Sequence, residues 1–269
     1  MNIAYHIVVC GGIVPDPLQT LEPVTTANGP ALKNELLLPH VLDPWSAHAL
    51  YEAAHLARRS AGSKVWLVSV APKTKLHQVM MTMGQRVPLE LVAIEGPASG
   101  FTDASDVAAA LTAGIEGIAG LDRSRLLLFG GWESASRAAG ATMQMVGERL
   151  GIIDQFQGVD ELTVADDGAL RILERIEGGQ HQVSVCSGPP VLLGWATGNL
   201  PEPPNNPQIG MQNMRAIMPA LQKAKTAQIS GSARFESVTL PKQQRATRIV
   251  KDKPVEEIAR EIVTWATAE

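Results

Sequence analysis

The chain has 269 residues, of which 45% are hydrophobic and 19% are charged, and its net charge is −4 at pH 7. That length and apolar content suit one large α/β domain, or one domain carrying an appendage. The acidic balance, without any long run of Lys or Arg, gives no reason to expect a nucleic-acid partner. The two cysteines, Cys10 and Cys186, are far apart, which favours a reducing compartment over a disulfide-stapled secreted domain.

The amino-terminal sequence MNIAYHIVVCGG lacks the basic start and the small-residue cleavage site of a signal peptide. No segment approaches the length of a membrane span. We therefore expect a soluble, cytoplasmic protein.

The first half of the chain alternates short apolar runs with helical patterns, which is typical of a parallel sheet flanked by helices. Strands are predicted at Ile3–Cys10, Lys64–Val70, Leu89–Ile94 and Arg125–Gly131. Helices are predicted from Pro44 to Arg59, through the apolar face formed by Val107, Leu111, Ile115 and Ile118, and from Ala135 to Leu150 with Gly151 as its cap.

The pattern of the second half is different. Two turn signals, Asp167-Gly168 and Gly178-Gly179, separate strand-like runs and predict an antiparallel meander. A buried strand at Pro189–Ala196 precedes a Pro/Asn-rich stretch, and an arm of weak pattern extends from about Gln222 to Val250. A last helix is predicted after Pro254, with Val255, Ile258, Ile262 and Trp265 on one stripe. We divide the chain into residues 1–200, 201–226 and 227–269.

The segment Asn213–Thr226 follows the Pro/Asn-rich stretch and is predicted to be a surface loop. It nevertheless carries apolar residues and a lysine pair: Met214, Ile217, Met218, Leu221, Lys223 and Lys225. Either these apolar side chains meet a partner protein, or they form one turn of helix packed on their own domain.

Neither a G-x-G-x-x-G fingerprint nor a P-loop pattern occurs. Asp43 suits an N-cap and Pro44 the first helical position. The helix start is then either a well-capped end alone or an anion site, with Ser46 as an extra donor. On the same helix, His48, Glu52 and His55 share one face, which is either a metal site or a solvated polar stripe.

Two further strand ends are candidates for ligand contact. VSVAP, residues 68–72, ends a predicted strand where open α/β sheets place ligands, and its Ala71 permits close backbone approach. GGWESASRAAGAT, residues 130–142, could cradle a phosphate that Arg137 neutralises. A tight turn with Ser134 or Ser136 as N-cap explains this composition equally.

Several segments together resemble the β subunit of the electron transfer flavoproteins, over nearly the whole chain. They are DPWS at 43–46, VSVAP at 68–72, MMTMGQ at 80–85, IMPALQKAK at 217–225 and LPKQQRATRIV at 240–250. The resemblance implies a parallel-sheet, Rossmann-like domain of the adenine-nucleotide α-hydrolase type, with an antiparallel meander and a carboxy-terminal arm that ends in a helix and clasps an α subunit.

The resemblance also implies an electron carrier rather than an enzyme. In that family the α partner holds most of the redox FAD, and the β subunit binds an adenine nucleotide, usually AMP. Electrons pass from a flavin dehydrogenase to a quinone oxidoreductase. By this likeness Trp45 lies near the flavin, and Met218 is the recognition residue that docks in the dehydrogenase. The family's nucleotide loop, roughly D-D-x-x-Q-T-G, is SRAAGAT here, so only Thr142 is retained.

The residues taken together as cofactor-binding are Val9, Cys10, Gly11, Asp43, Pro44, Trp45, Ser46, Val70, Ala71, Ser136, Arg137 and Thr142. Those taken as partner-binding are Ile217, Met218, Pro219 and Leu221. The alternatives are a nucleotide-binding module without redox work, and a structural partner that has lost its nucleotide.

Overall fold

The structure is a computed structural model that describes residues 3–27, 29–97, 101–136, 138–231, 236–239, 242, 247 and 249–267. The chain separates into two compact units, residues 1–238 and residues 239–269. The first unit holds the sheet, and the second holds the last helix. Among the described residues no helix is both long enough and apolar enough to span a bilayer.

The helices of the described residues are α1 Pro44–Arg59, α2 Lys73–Met83, α3 Ala104–Glu116, α4 Ala141–Arg149, α5 Pro207–Gln222 and α6 Val255–Thr267. The strands are β1 His6–Cys10, β2 Ile13–Pro15, β3 Pro23–Thr26, β4 Gly29–Leu32, β5 His40–Leu42, β6 Lys64–Val70, β7 Glu90–Glu95, β8 Leu126–Gly131, β9 Asp154–Val164, β10 Leu170–Arg175, β11 His181–Cys186, β12 Val191–Trp195 and β13 Lys225–Thr226.

One large sheet organises the first unit. Within the described residues its order is β11-β10-β9-β12-β8-β1-β6-β7-β13. Seven neighbouring strands of this sheet are parallel to one another: β9, β12, β8, β1, β6, β7 and β13. In contrast, β10 runs antiparallel to both of its neighbours, β9 and β11. The predicted α/β fold class and the predicted meander are therefore confirmed.

The period-2 alternation of the parallel strands places a hydrophobic layer on each face of the sheet. Along β1, Ile7 and Val9 belong to the core beneath α1, α2 and α5, while Val8 and Cys10 belong to the core beneath α3 and α4. Burial on both faces explains why these strands are continuous apolar runs in the sequence.

The meander bends at glycines that adopt positive φ angles. Gly168, between β9 and β10, has φ of 90°, and Gly178, between β10 and β11, has φ of 70°. These conformations are strained for residues with a Cβ, which is why the turn signals of the sequence were informative.

Several predicted boundaries differ from the structure. The first strand begins at His6 rather than Ile3, and the helix expected from Ala135 begins at Ala141. Gly151 follows the end of α4 with φ of 62°, and its N–H donates to the carbonyl of Glu148, as in a Schellman cap. Of the segment expected as a surface loop, Asn213–Thr226, the part up to Gln222 lies instead within α5, and Lys225–Thr226 form β13. The sequence also gave no indication of α2 or of the ribbons β2–β5 and β3–β4.

Candidate functional site

The carboxyl ends of β1, β6 and β8 border a cleft. After β1 the chain places β6 and β7 on one side, and then β8 on the other side of β1. This reversal is a topological switch point, and open α/β sheets bind ligands in the crevice outside such a point.

The walls of the cleft come from distant parts of the chain. Predicted cofactor residues that line it are Cys10, Gly11, Asp43, Ser46, Val70, Ser136 and Thr142. Val9 and Ala71 are buried in the core instead, and Pro44 and Trp45 lie at the start of α1 beside the cleft. Arg137 is outside the described residues. The cofactor role of all these residues stays a prediction.

Asp43 holds two edges of the cleft together. Its side chain is only 2% exposed, and it caps α1 by accepting from the N–H of Trp45 at 3.1 Å. Its other carboxylate oxygen accepts from the N–H of Ala135 at 2.8 Å. Burial, the largest influence, raises the pKa of Asp43, and the backbone N–H groups that donate to it act in the opposite direction.

This geometry corrects the expectation of an anion site at the start of α1. The N–H groups that would attract a phosphate there are directed at a carboxylate of the chain itself. The alternative of a well-capped helix describes this end correctly.

The loop between β8 and α4 is shaped by small residues. A Cβ on Gly140 would lie 2.2 Å from the carbonyl oxygen of Trp132, and a Cβ on Gly131 would lie 2.6 Å from the Cβ of Trp45. Both contacts are too short for any larger residue. Trp132 in turn packs edge-on against Trp45, with ring centroids 6.3 Å apart. The loop is therefore fitted to the start of α1.

The start of α4 faces the same cleft. Its N-cap, Gly140, offers no side-chain cap, so neither Ser134 nor Ser136 has the expected capping role. Thr142 and the largely buried Met143 line the cleft from the first turn of this helix. The backbone N–H groups of this first turn have no partner within the helix, so they are the candidate donors for a polar ligand.

Part of the lining is an apolar wall. It is formed by Val70, Val107 and Leu111 together with the thiol of Cys10, which all belong to one apolar cluster. Burial raises the pKa of Cys10 to about 12, so this side chain is a protonated, weakly polar thiol at neutral pH. Such a wall suits the face of an aromatic ring.

Sequence reasoning missed some lining residues, among them Ile13, Val14, Glu133 and Met143. Glu133 stands two residues after β8, at a strand end, and that position alone could have identified it. Ile13 and Val14 belong to β2, a strand too short to be recognised from its pattern.

The polar face of α1 is structural. Glu52 is buried and accepts from the N–H groups of Asn199 and Leu200, at 2.9 Å each. His55 lies 2.8 Å from the carbonyl oxygen of Pro201 through Nε2. The expectation of a solvated stripe is therefore wrong for Glu52, which is buried because it holds the segment after β12. The described residues contain no group of three potential metal ligands.

The predicted partner-binding residues divide between core and surface. Ile217 and Leu221 are buried in the core, so the expectation that they meet a partner is wrong for these side chains. Met218 is 40% exposed and Pro219 is exposed. The difference follows from the helix, which turns residues three and four apart to one face.

A methionine groove adjoins Met218. Met80, Met81, Met211 and Met214 line it between α2 and α5, together with Arg215. Neither α2 nor α5 contains Asp or Glu, whereas they carry Lys73, Lys75 and Arg215. Arg215 is the one charged residue among the described lining residues of the groove, so this surface is apolar with a single cation, in a chain whose net charge is negative.

Comparison with known families gives one result. The sequence model of the electron transfer flavoprotein domain matches residues 36–232, which is most of the chain. This domain occurs in both subunits of such proteins and does not tell β from α. No curated protein matches the chain.

Proposed function

The chain belongs to the electron transfer flavoprotein family, and from that premise we propose that it is the β subunit of a heterodimeric carrier. The carrier would take electrons from a flavin dehydrogenase and pass them to a quinone oxidoreductase or a similar acceptor. Members of this family carry electrons and in general are not catalytic enzymes. The observation that carries the proposal is a cleft at the switch point of a sheet that lies largely within the family match.

We place most of the FAD on the α partner. When bound, FAD supplies the redox chemistry, and the protein supplies orientation and electrostatics. On this chain Trp45 is the residue suited to the flavin, because it is half-exposed at the first turn of α1 and is held edge-on by Trp132. An aromatic surface at that point would exclude water from one side of the flavin.

The last helix supports the heterodimer. In α6, Val255, Ile262 and Trp265 are largely exposed, and Trp265 is 81% exposed. An amphipathic helix of this kind needs an apolar surface to cover it. We propose that the α subunit supplies that surface.

Met218 and Pro219 are the proposed contact with the dehydrogenase. An exposed methionine adapts to more than one apolar pocket because its thioether is flexible. The exposed Lys223 and Lys225, with Arg215 of the methionine groove, would speed encounter with an acidic partner surface.

Co-expression with an α-type subunit tests the proposal. The chain alone is expected to be colourless, and the co-purified heterodimer yellow with stoichiometric FAD, measured by absorbance after acid release. An isolated chain that binds FAD stoichiometrically and stays monomeric would refute the proposed subunit identity. A heterodimer without flavin would favour the structural-partner alternative.

A further inference from the structure

We propose that β11 pairs antiparallel with β11 of a second copy of this chain, with Val183 of each copy at the twofold axis. Among the described residues β10 is the only strand beside β11, so the other side of β11 is an open edge of the large sheet. An open edge presents backbone N–H and C=O groups to an extended chain that can pair with them. The inference goes beyond the proposed function, because it concerns self-association and not electron transfer.

The two edges of the sheet differ in their protection against such pairing. At the opposite edge β13 has only 2 residues and includes Lys225, and both short length and lysine discourage strand addition. β11 has 6 residues, HQVSVC, and contains no Lys, Arg, Asp, Glu or Pro. Its register with β10 is regular, without a bulge that would twist the edge away. β11 therefore lacks the features that keep an edge strand unpaired.

The alternation of hydrogen bonds identifies the backbone groups on the open side. At the turn before β11 the N–H of Ile176 donates to the carbonyl of Gln180 at 3.0 Å. Residues that bond the neighbouring strand alternate along an antiparallel ladder, so every second residue counted from Gln180 faces β10. The residues between them direct their N–H and C=O groups away from β10, and these are His181, Val183 and Val185.

These outward residues allow the strand to pair with itself. When Val183 lies opposite Val183 of the second copy, His181 of each copy lies opposite Val185 of the other. Every outward N–H and C=O group is then paired, in an interface with twofold symmetry. Like charges placed directly opposite each other would destabilise such a pair, but β11 contains no acidic residue, lysine or arginine.

The side chains of the outward residues favour the same arrangement. Val183 is 45% exposed and Val185 is 67% exposed, and residues two apart along a strand lie on the same face of the sheet. Pairing of two copies places one Val183 beside the other, where each covers apolar surface of its neighbour. Pairs of β-branched residues across strands stabilise a sheet in this way.

Sedimentation velocity on the full chain, alone and with its α-type partner where the two co-purify, tests the inference. We expect the wild-type chain to self-associate with a Kd on the order of 10–100 µM. Val183→Lys and Val183→Glu each place like charges opposite each other at the axis, so each should weaken this association by about tenfold. An equimolar mixture of the two variants should restore the dimer, because opposite charges then face each other.

Val185→Lys and Val185→Glu are the matched controls, on the same strand and the same face. In the proposed register position 185 lies opposite position 181, so the two substituted residues are about 14 Å apart along the strands. At that distance salt screens the attraction between them. A mixture of these two variants should therefore associate no more tightly than either variant alone.

Hydrogen exchange on the wild-type chain tests the same edge without any substitution. The N–H groups of Val183 and Val185 should exchange more slowly as the protein concentration rises, and an exchange rate independent of concentration would overturn the inference. It is also overturned if the wild-type chain sediments as a single unit at about 0.5 mM, or if the mixed Val183 variants do not associate. Loss of the α-type partner from Val183→Lys would overturn it too, because the edge would then belong to the heterodimer.

Discussion

Asp160 is the centre of a polar cluster that joins the meander to the segment after β12. Asp160 is 4% exposed as a residue, and its carboxylate accepts from Arg175 through Nε at 3.1 Å and Nη2 at 2.9 Å. His181 lies 3.1 Å away through Nε2, and Thr197 donates through its hydroxyl group at 3.2 Å. Burial raises the pKa of Asp160, but the hydrogen bonds from His181 and Arg175 outweigh burial, so the pKa lies below its usual range.

Asp160→Asn should therefore lower the free energy of unfolding at pH 7 by about 1.5–3 kcal/mol, the usual range for hydrogen bonds to a charged group. Because the pKa is lowered in the folded state, this stabilisation is present above the unfolded pKa of about 3.9 and is lost as the pH falls through the folded value. Urea denaturation at pH 7 and at successive values below pH 4 measures the effect, with the exposed Asp154→Asn in the same strand as control. If the difference in unfolding free energy between wild type and Asp160→Asn stays constant down to pH 3, this pH dependence is contradicted.

Residues of the site were predictable where their role is local. The capping role of Asp43 follows from the neighbouring Pro44 and the helical pattern after it. Its bond to Ala135 joins positions 92 residues apart and depends on the loop after β8, so no local pattern could show it. The burial of Glu52 was hidden for the same reason, because its partners follow β12.

At the scale of elements, α5 shows how the sequence signals for the start of a helix can be mistaken for those of a turn. Asn206 caps the helix by accepting from the N–H of Gln208 at 3.0 Å, and Pro207 occupies the first turn. Within the run PEPPNNPQIG these two residues resemble turn residues, and Pro219 further suggests a break. The helix is retained because Gly210, Asn213, Ile217 and Leu221 form one buried stripe. The Asn213 amide also donates to the carbonyls of Gly84 and Val87, at 2.6 and 2.7 Å.

Neighbouring residues of α5 should respond differently to truncation. Ile217→Ala removes a fully buried side chain and should cost about 2–5 kcal/mol of unfolding free energy. Met218→Ala should lower the unfolding free energy by much less than Ile217→Ala does. It should nevertheless slow electron transfer from the cognate dehydrogenase, because a docking side chain is lost. Stopped-flow reduction of the heterodimer and thermal melting measure the two effects.

Met145→Ala is the control for this pair, since Met145 is 37% exposed on α4 and resembles Met218 in exposure. It should change neither electron transfer nor stability by more than a small amount. If Met218→Ala melts several degrees lower, Met218 belongs to the core and its recognition role is rejected.

At the scale of the whole molecule, the sequence predicted the elements of the sheet better than their order. The apolar runs of β1, β6 and β8 were recognisable because both faces of these strands are buried. The position of β12 between β8 and β9 could not be recognised from the sequence, because it depends on packing between segments far apart in the chain. The switch point, and with it the location of the cleft, follows from this order rather than from any motif.

The last prediction concerns the second unit, residues 239–269, and its helix α6. Lys253, two residues before α6, pairs with Glu257 at 2.8 Å and also with Glu261, and these pairs help to hold the start of the helix. Ile262 and Trp265 lie on the exposed apolar stripe, whereas Thr264 lies on the opposite side of the helix by its spacing. If this stripe binds the α subunit, a charge on it must be desolvated on association, while a charge opposite it stays in water.

Ile262→Asp and Trp265→Asp should therefore each weaken association with the α subunit by at least about tenfold, and Thr264→Asp should leave it nearly unchanged. Deletion of residues 239–269 should abolish co-purification altogether. Since the core of the sheet lies in residues 1–238, the shortened chain should keep the far-ultraviolet circular dichroism of an α/β domain. Pull-down of a tagged α subunit, followed by sedimentation velocity on the purified complexes, measures the association. Equal losses for Trp265→Asp and Thr264→Asp would show that helix stability, and not the apolar stripe, decides assembly.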